Sequence, residues 1–245
     1  MIAAMPTDVV DVIRRGDVSA LESFLSEAPQ TVRNRVDGQR TLLHIATDWP
    51  GHFPNVQQTI RLLAEHGAEL NAPFQGRHTE TPLHWAASSD DVTALDALLD
   101  LGADIESPGA VIGGGSPLAD AVGFGQWKAA RRLIERGARS TLWQSAALGL
   151  MDRVREHFAG ASQPSADEVT NAFWYACHGG QVEAARFLLE RGADRSWIGH
   201  NGLTPLAVAA RNGNQQLVEW LETQEAISSN SALDQTNSKT CRRTL

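Results

Sequence analysis

The feature that most constrains this chain is a recurring pair of marks set twenty-one residues apart. Thr81-Pro82-Leu83 is followed at that distance by Gly102-Ala103, Ser116-Pro117-Leu118 by Gly137-Ala138, and Asn171 by Gly192-Ala193. Thr204-Pro205-Leu206 then restarts thirty-three residues after Asn171. A period of roughly 33 residues belongs to repeat architectures, in which each unit cannot bury its apolar face until a neighbour stacks on it.

Each unit reads as helix, turn, helix and extended finger. Thr81 is a good N-cap, and Pro82 sits at the first helical position, where a missing N–H costs nothing. Leu83, Ala86 and Ala87 fall on one face at helical spacing. The second helix offers Ala94, Leu95, Leu98 and Leu99, and Gly102 can end it in a left-handed cap. Val182, Ala185, Leu188 and Leu189 repeat this pattern, as do Ala129, Leu133 and Ile134.

These segments resemble the T-P-L-H-x-A-A…L-L…G-A-D signature of the ankyrin-repeat family, most closely over 76–109 and more loosely over roughly 6–225. The resemblance implies an all-α repeat fold, an ankyrin solenoid of about seven helix-turn-helix repeats with hairpin-like fingers. Residues 1–225 are expected to form the repeat domain and 226–245 a disordered polar tail. The family's histidine ties one loop to the next by hydrogen bonds, and His44 and His84 stand at that place. Trp143 and Trp174 are expected at the same motif position in later units, as core filling, with Leu142 and Phe173 at the leucine position.

The irregularities carry information of their own. Five extra residues separate Thr41 from Gly67-Ala68, and they fall in 48–55, between the two helices of the second unit. A long finger, Pro108 to Gly115, precedes the fourth unit, and the finger before Thr141 is cut short. Gly113-Gly114-Gly115 lacks the Gly-Lys-Ser/Thr of a phosphate loop and reads as a finger tip.

Charge and cysteine content narrow the functions. Net charge is -8 with a pI of about 5.5, which argues against nucleic acid and anionic membranes as partners. Cys177 and Cys241 are far apart, so neither a disulfide framework nor a zinc spacing arises. No signal peptide or membrane span is read, and the cytoplasm is the expected location. No cofactor or metal is expected. Cys177 beside His178 is not a catalytic pair, because adjacent helical residues do not face each other. No established catalytic motif stands out, so the chain is read as not an enzyme.

The resemblance implies another protein as partner, bound on a concave face by an adaptor or scaffold that is monomeric alone; the alternative is a dedicated regulatory subunit of one enzyme. Trp49 in the insertion, Trp85 after the motif histidine and Phe124 at an inner helix end are candidate anchors, since Trp is enriched at hot spots. Arg77, His78, Glu80, Ile112, Gly113, Asp167, Glu168, His200 and Asn201 are expected at finger tips, and Ser88, Ser89, His178 and Arg211 at inner helix ends. Taken singly, each is equally a solvated residue; taken together they line one side of a stack.

Overall fold

The computed structural model describes residues 7–224, with no strand among them beyond one isolated bridge, Val36 with Arg40. The expected tail, 226–245, lies outside the described residues. The chain divides after Ser140 into two compact units.

The first unit holds four helix pairs. These are α1 (Thr7–Arg15) with α2 (Val18–Glu27), α3 (Leu42–Thr47) with α4 (Val56–Glu65), α5 (Pro82–Ser88) with α6 (Val92–Asp100), and α7 (Pro117–Gly123) with α8 (Trp127–Glu135). The first helices pack in the row α1, α3, α5, α7 and the second in the row α2, α4, α6, α8. The second unit holds three pairs: α9 (Leu142–Leu148) with α10 (Met151–Ala159), α11 (Ala166–His178) with α12 (Val182–Leu189), and α13 (Pro205–Arg211) with α14 (215–224). In it α11 packs between α9 and α13. The seven pairs match the number expected from the repeat.

Why the Gly-Ala pair recurs is visible at Gly102. Its φ of +97° is left-handed, a region that L side chains rarely adopt. That turn lets Gly102 N–H donate to the Leu99 carbonyl (3.1 Å) and Ala103 N–H to the Leu98 carbonyl (3.0 Å). This is a Schellman cap, which satisfies carbonyls that the helix end leaves open. The same two bonds close α4, α8 and α12 at Gly67, Gly137 and Gly192. Helix α10 has no such glycine turn: its cap, Gly160, is extended.

The small inner residues Ala86, Ala87, Ala121, Ala146 and Ala147 are fully buried and let the short helices approach closely. Leu95, Leu98, Leu133 and Leu188 are also fully buried, each contributing roughly 1.5–3 kcal/mol of hydrophobic stabilisation. Leu99, Ile134 and Leu189, expected on the same face, are half-buried.

Two expectations are corrected. The histidine place in the α9 repeat belongs to Gln144, not Trp143: Thr141 caps α9, Leu142 is the first helical residue, and Thr141 N–H donates to Gln144 Oε1 (2.8 Å). Trp143 stands at the leucine position, half-buried, its ring 4.3 Å from that of Tyr175. Second, Asn171 does not start a helix. Helix α11 runs unbroken from Ala166, because Ser165 and Glu168 form a capping box, with Ser165 N–H donating to Glu168 Oε2 at 2.8 Å. Asp167 and Glu168 therefore lie in a first helical turn, where carboxylates suit the helix dipole, rather than at a finger tip.

Candidate functional site

The second pair begins the construction. Helix α3 ends at Thr47, and the five extra residues make a loop before α4 that is tied at both flanks. Asn55 Nδ2 donates to the Gly16 carbonyl (2.9 Å) in the preceding repeat, and His52 N–H donates to Asp91 Oδ2 (2.6 Å) in the following one. Gly51 sits at φ +74°, and a Cβ there would come within 2.9 Å of Ser89 Cβ, so a side chain is excluded twice over. At the loop's entry Asp48 Oδ2 accepts from Arg14 (3.1 Å) and Arg40 (3.2 Å). The adjoining Trp49 is 79% exposed on a base that is well held.

The finger of 73–80 supplies the next wall. Phe74 N–H donates to the Glu80 carbonyl (2.7 Å), closing the loop, and the Phe74 ring stacks on His78 at 4.7 Å. Trp85 on α5 lies edge-on to His44 (4.8 Å) and near Phe74 (5.5 Å), and its Nε1 donates to Glu80 Oε2 at 3.1 Å. His44 and His84 behave as the resemblance implies. Thr41 and Thr81 donate N–H to the Nδ1 of His44 (3.3 Å) and His84 (3.0 Å). Their Nε2 atoms reach the carbonyls of Glu80 (3.1 Å) and Gly115 (3.3 Å) in the following fingers, as donors once Nδ1 accepts. Burial pushes both imidazoles down to about 4, so each stays neutral in this role.

The finger ending at Gly115 supplies the third wall. Its tip is closed by Gly114 N–H donating to the Ala110 carbonyl (3.0 Å) and is pinned to α7 by Ile112 N–H donating to Asp120 Oδ1 (3.0 Å). Phe124, the C-cap of α7, is 48% exposed.

Together these elements line a groove of about 250 Å³, with Asp48, Trp49, His78, Glu80, Trp85, Val111 and Phe124 among its walls. Four of the sequence candidates, Trp49, His78, Trp85 and Phe124, are thus brought to one place from three consecutive repeats. Arg77 is exposed on the same finger as His78.

Beneath the groove lies a pair of buried carboxyl groups, Asp120 and Glu80, the latter turned inward at 5% exposure rather than displayed at the finger tip as expected. Burial raises both, Asp120 to about 8, and the hydrogen bond between the two carboxyls raises Asp120 further. No donor among the described residues reaches Asp120 Oδ2, so a proton on Asp120 serves as the bridge to an ionised Glu80. Glu80 Oε2 is also 2.5 Å from His78 Nδ1. Asp120 was missed in the sequence. It is the lone charged residue of the otherwise apolar stretch Pro117–Gly123, and that was the available signal.

The second unit places its candidates differently. His178 is 7% exposed, with Nδ1 accepting from Asn212 (3.0 Å), so it belongs to the packing of α11 and α13. Its ring stacks on Trp174 at 5.5 Å. His200 is exposed, 5.1 Å from Trp174, with Nε2 meeting Asn171 Oδ1 at 3.1 Å. Arg211 is exposed at the end of α13. Cys177 is buried, and that burial pushes its thiol well above the usual range.

A family model for ankyrin repeats (3 copies) matches residues 9–109 and 142–231, well over half of the chain. The chain belongs to the ankyrin-repeat family. Ankyrin-repeat domains are protein–protein interaction modules and non-catalytic scaffolds. A curated relative, the ankyrin repeat and KH domain-containing protein mask-1 of Caenorhabditis elegans, is 27% identical over 169 residues. That alignment takes in 69% of this chain but 6% of the relative. Among solved structures, the ankyrin repeat domain of human ASB11 superposes with a TM-score of 0.54 at 19% identity, covering 88% of this chain and 97% of that one. The ankyrin repeat domain of Bcl-3, of the IkappaB protein family, gives 0.52 at 23% identity, covering 89% and 99%. The matched ankyrin stretches stop at 109 and resume at 142. Val111 and Phe124 of the groove's third wall, and Asp120 beneath it, lie between. No helix among the described residues is long and apolar enough to cross a membrane.

Proposed function

We propose that this ankyrin-repeat protein is a non-catalytic binding module that docks another protein in the groove formed by Trp49, Trp85 and Phe124. The observation that carries this reading is the convergence of three aromatic side chains from consecutive repeats, two of them exposed on tethered supports. Exposing large aromatic surface to water is unfavourable, and a rigid base means that little ordering entropy is lost when a partner covers it. Aromatic anchors of this kind dominate interface energetics.

A dedicated regulatory role for one partner is favoured over a general adaptor. The groove is built from departures from the repeat: the insertion at 48–55 and a finger and helix outside the matched family stretches. The test is capture of partners from the native extract by the wild type and by Trp49→Ala/Phe124→Ala, after both give the same unfolding midpoint. One stoichiometric partner, lost with the double variant, is expected. A partner retained by the double variant overturns the assignment of the groove, and many unrelated partners overturn the dedicated role.

A further inference from the structure

The groove's walls are aromatic and its charged lining is acidic. Asp48 and Glu80 contribute carboxylates, and among the described residues no lysine or arginine lines it. The two acids differ in what already answers them. Asp48 is met by Arg14 and Arg40 through the same oxygen. Among the described residues Glu80 is paired with no arginine or lysine; it has His78, the Trp85 indole N–H and the Asp120 carboxyl. A buried carboxylate without a firm counter-cation is costly, and here the cost is contained by keeping a proton on its neighbour.

We infer that the partner docked in this groove inserts an arginine side chain between Trp49, Trp85 and Phe124, with its guanidinium directed at Glu80. This rests on the reading of the groove as a protein-docking site. Three aromatic rings offer π faces that attract a cation, most strongly where water is displaced. A planar guanidinium suits such walls better than an ammonium, because it stacks on rings while its fork bonds a carboxylate. An apolar anchor would dehydrate Glu80 further and return no counter-charge.

The proposal carries a pH signature. A guanidinium at Glu80 favours the ionised form of the carboxyl pair and drives the proton from Asp120. On the finger, the His78 ring also faces Glu80. From α3 and α5, His44 and His84 are held neutral by burial and take no part. Asp48, on the insertion, remains neutralised by Arg14 of α1 and Arg40. Because the pair must lose its proton, arginine binding tightens as pH rises through the titration of the pair.

The test uses three capped amino acids as probes: N-acetyl methylamides of arginine, of citrulline, which keeps the shape without the charge, and of norleucine. Binding is read from the indole N–H signals of Trp49 and Trp85 in the whole chain, assigned through Trp49→Phe and Trp85→Phe. The arginine probe is expected to shift both signals saturably, with citrulline and norleucine about tenfold weaker or worse. Glu80→Gln is expected to cost arginine binding a similar factor, and wild-type binding is expected to strengthen from pH 6 to pH 8.5. Equal shifts from norleucine, arginine binding indifferent to Glu80→Gln, or no response to any probe would each overturn the proposal. Should Glu80→Gln unfold the chain, the citrulline comparison and the pH series on the wild type still decide. If Trp49→Ala/Phe124→Ala loses its captured partner while Glu80→Gln keeps it, the arginine proposal fails and the docking site stands. If both keep it, the docking site fails as well.

Discussion

At the histidine place of the repeat, α3 and α5 of the first unit carry His44 and His84, whereas α9 and α11 of the second carry Gln144 and Trp174. His44 and His84 each make two bonds, one back to the helix cap and one forward to the next finger's carbonyl. In the second unit these jobs are divided. Gln144 makes the cap bond, through Oε1 to Thr141 N–H. Trp174 makes the forward bond, its Nε1 donating to the Leu203 carbonyl at 2.8 Å. Each imidazole serves both with one side chain, accepting at Nδ1 while Nε2 donates, whereas an indole can only donate. The units differ in the same sense around their aromatic residues. Those of the first unit wall an open groove, whereas Trp174, Tyr175 and His178 of the second are buried against one another.

The largest test of this contrast is removal of the doubly bonded side chain. His84→Ala leaves the Thr81 N–H and the Gly115 carbonyl without their partner and opens a cavity, an expected loss of about 3 kcal/mol in urea melts. Gln144→Ala and Trp174→Phe each remove one bond and are expected to cost about 1 kcal/mol. Equal losses at all three positions would break the account of the divided role.

A pH series sharpens the contrast between the units. Asp120, raised in the folded chain from 3.8 to about 8, binds a proton that the unfolded chain has released over that window. Its contribution to stability is therefore complete below about pH 4 and is lost as pH rises towards 8. The two histidines act oppositely. Lowered from 6.5 to about 4, their contribution is present above 6.5 and lost as pH falls towards 4. Between pH 6.5 and 8 the carboxyl pair acts without them, and stability is expected to decline. Asp120→Asn keeps the oxygen that Ile112 N–H requires and offers an N–H to Glu80. It should abolish that decline and stabilise the chain by about 1–2 kcal/mol at pH 8. A decline that persists in the variant would locate its source elsewhere.

The smallest effects on stability belong to the exposed candidates. Trp49→Ala, Arg77→Ala and Arg211→Ala are expected to move the unfolding free energy by no more than about 0.5 kcal/mol. Among these, Trp49→Ala alone is expected to weaken partner binding, which separates an interface residue from a supporting one.

Much of this was legible in the chain itself. The Gly-Ala pairs predict helix ends because a left-handed turn is available to few residues, and Thr41 and Thr81 announce their helices three residues before a histidine that caps them. The register slip at Trp143 arose where Pro is missing from the Thr141 start, so that an aromatic ring drew the alignment away from Gln144. Ser165 and Glu168 carried a capping-box signature that announces the early start of α11. The candidate site was legible only in parts. Trp49 and Phe124 stand out as large aromatics in irregular segments, but their meeting with Glu80 and Asp120 depends on three repeats packing side by side, which no local pattern encodes. His178 looked like an open helix end and is covered by Asn212 from thirty-four residues away.

The most direct measurement of the central claim is site-specific photo-crosslinking in the native cell. A benzoylphenylalanine is placed at position 124 in one version of the chain and at position 200 in another. The account predicts one discrete partner adduct from position 124 and none from position 200. An adduct from position 200 alone would contradict it and move the docking site to the second unit.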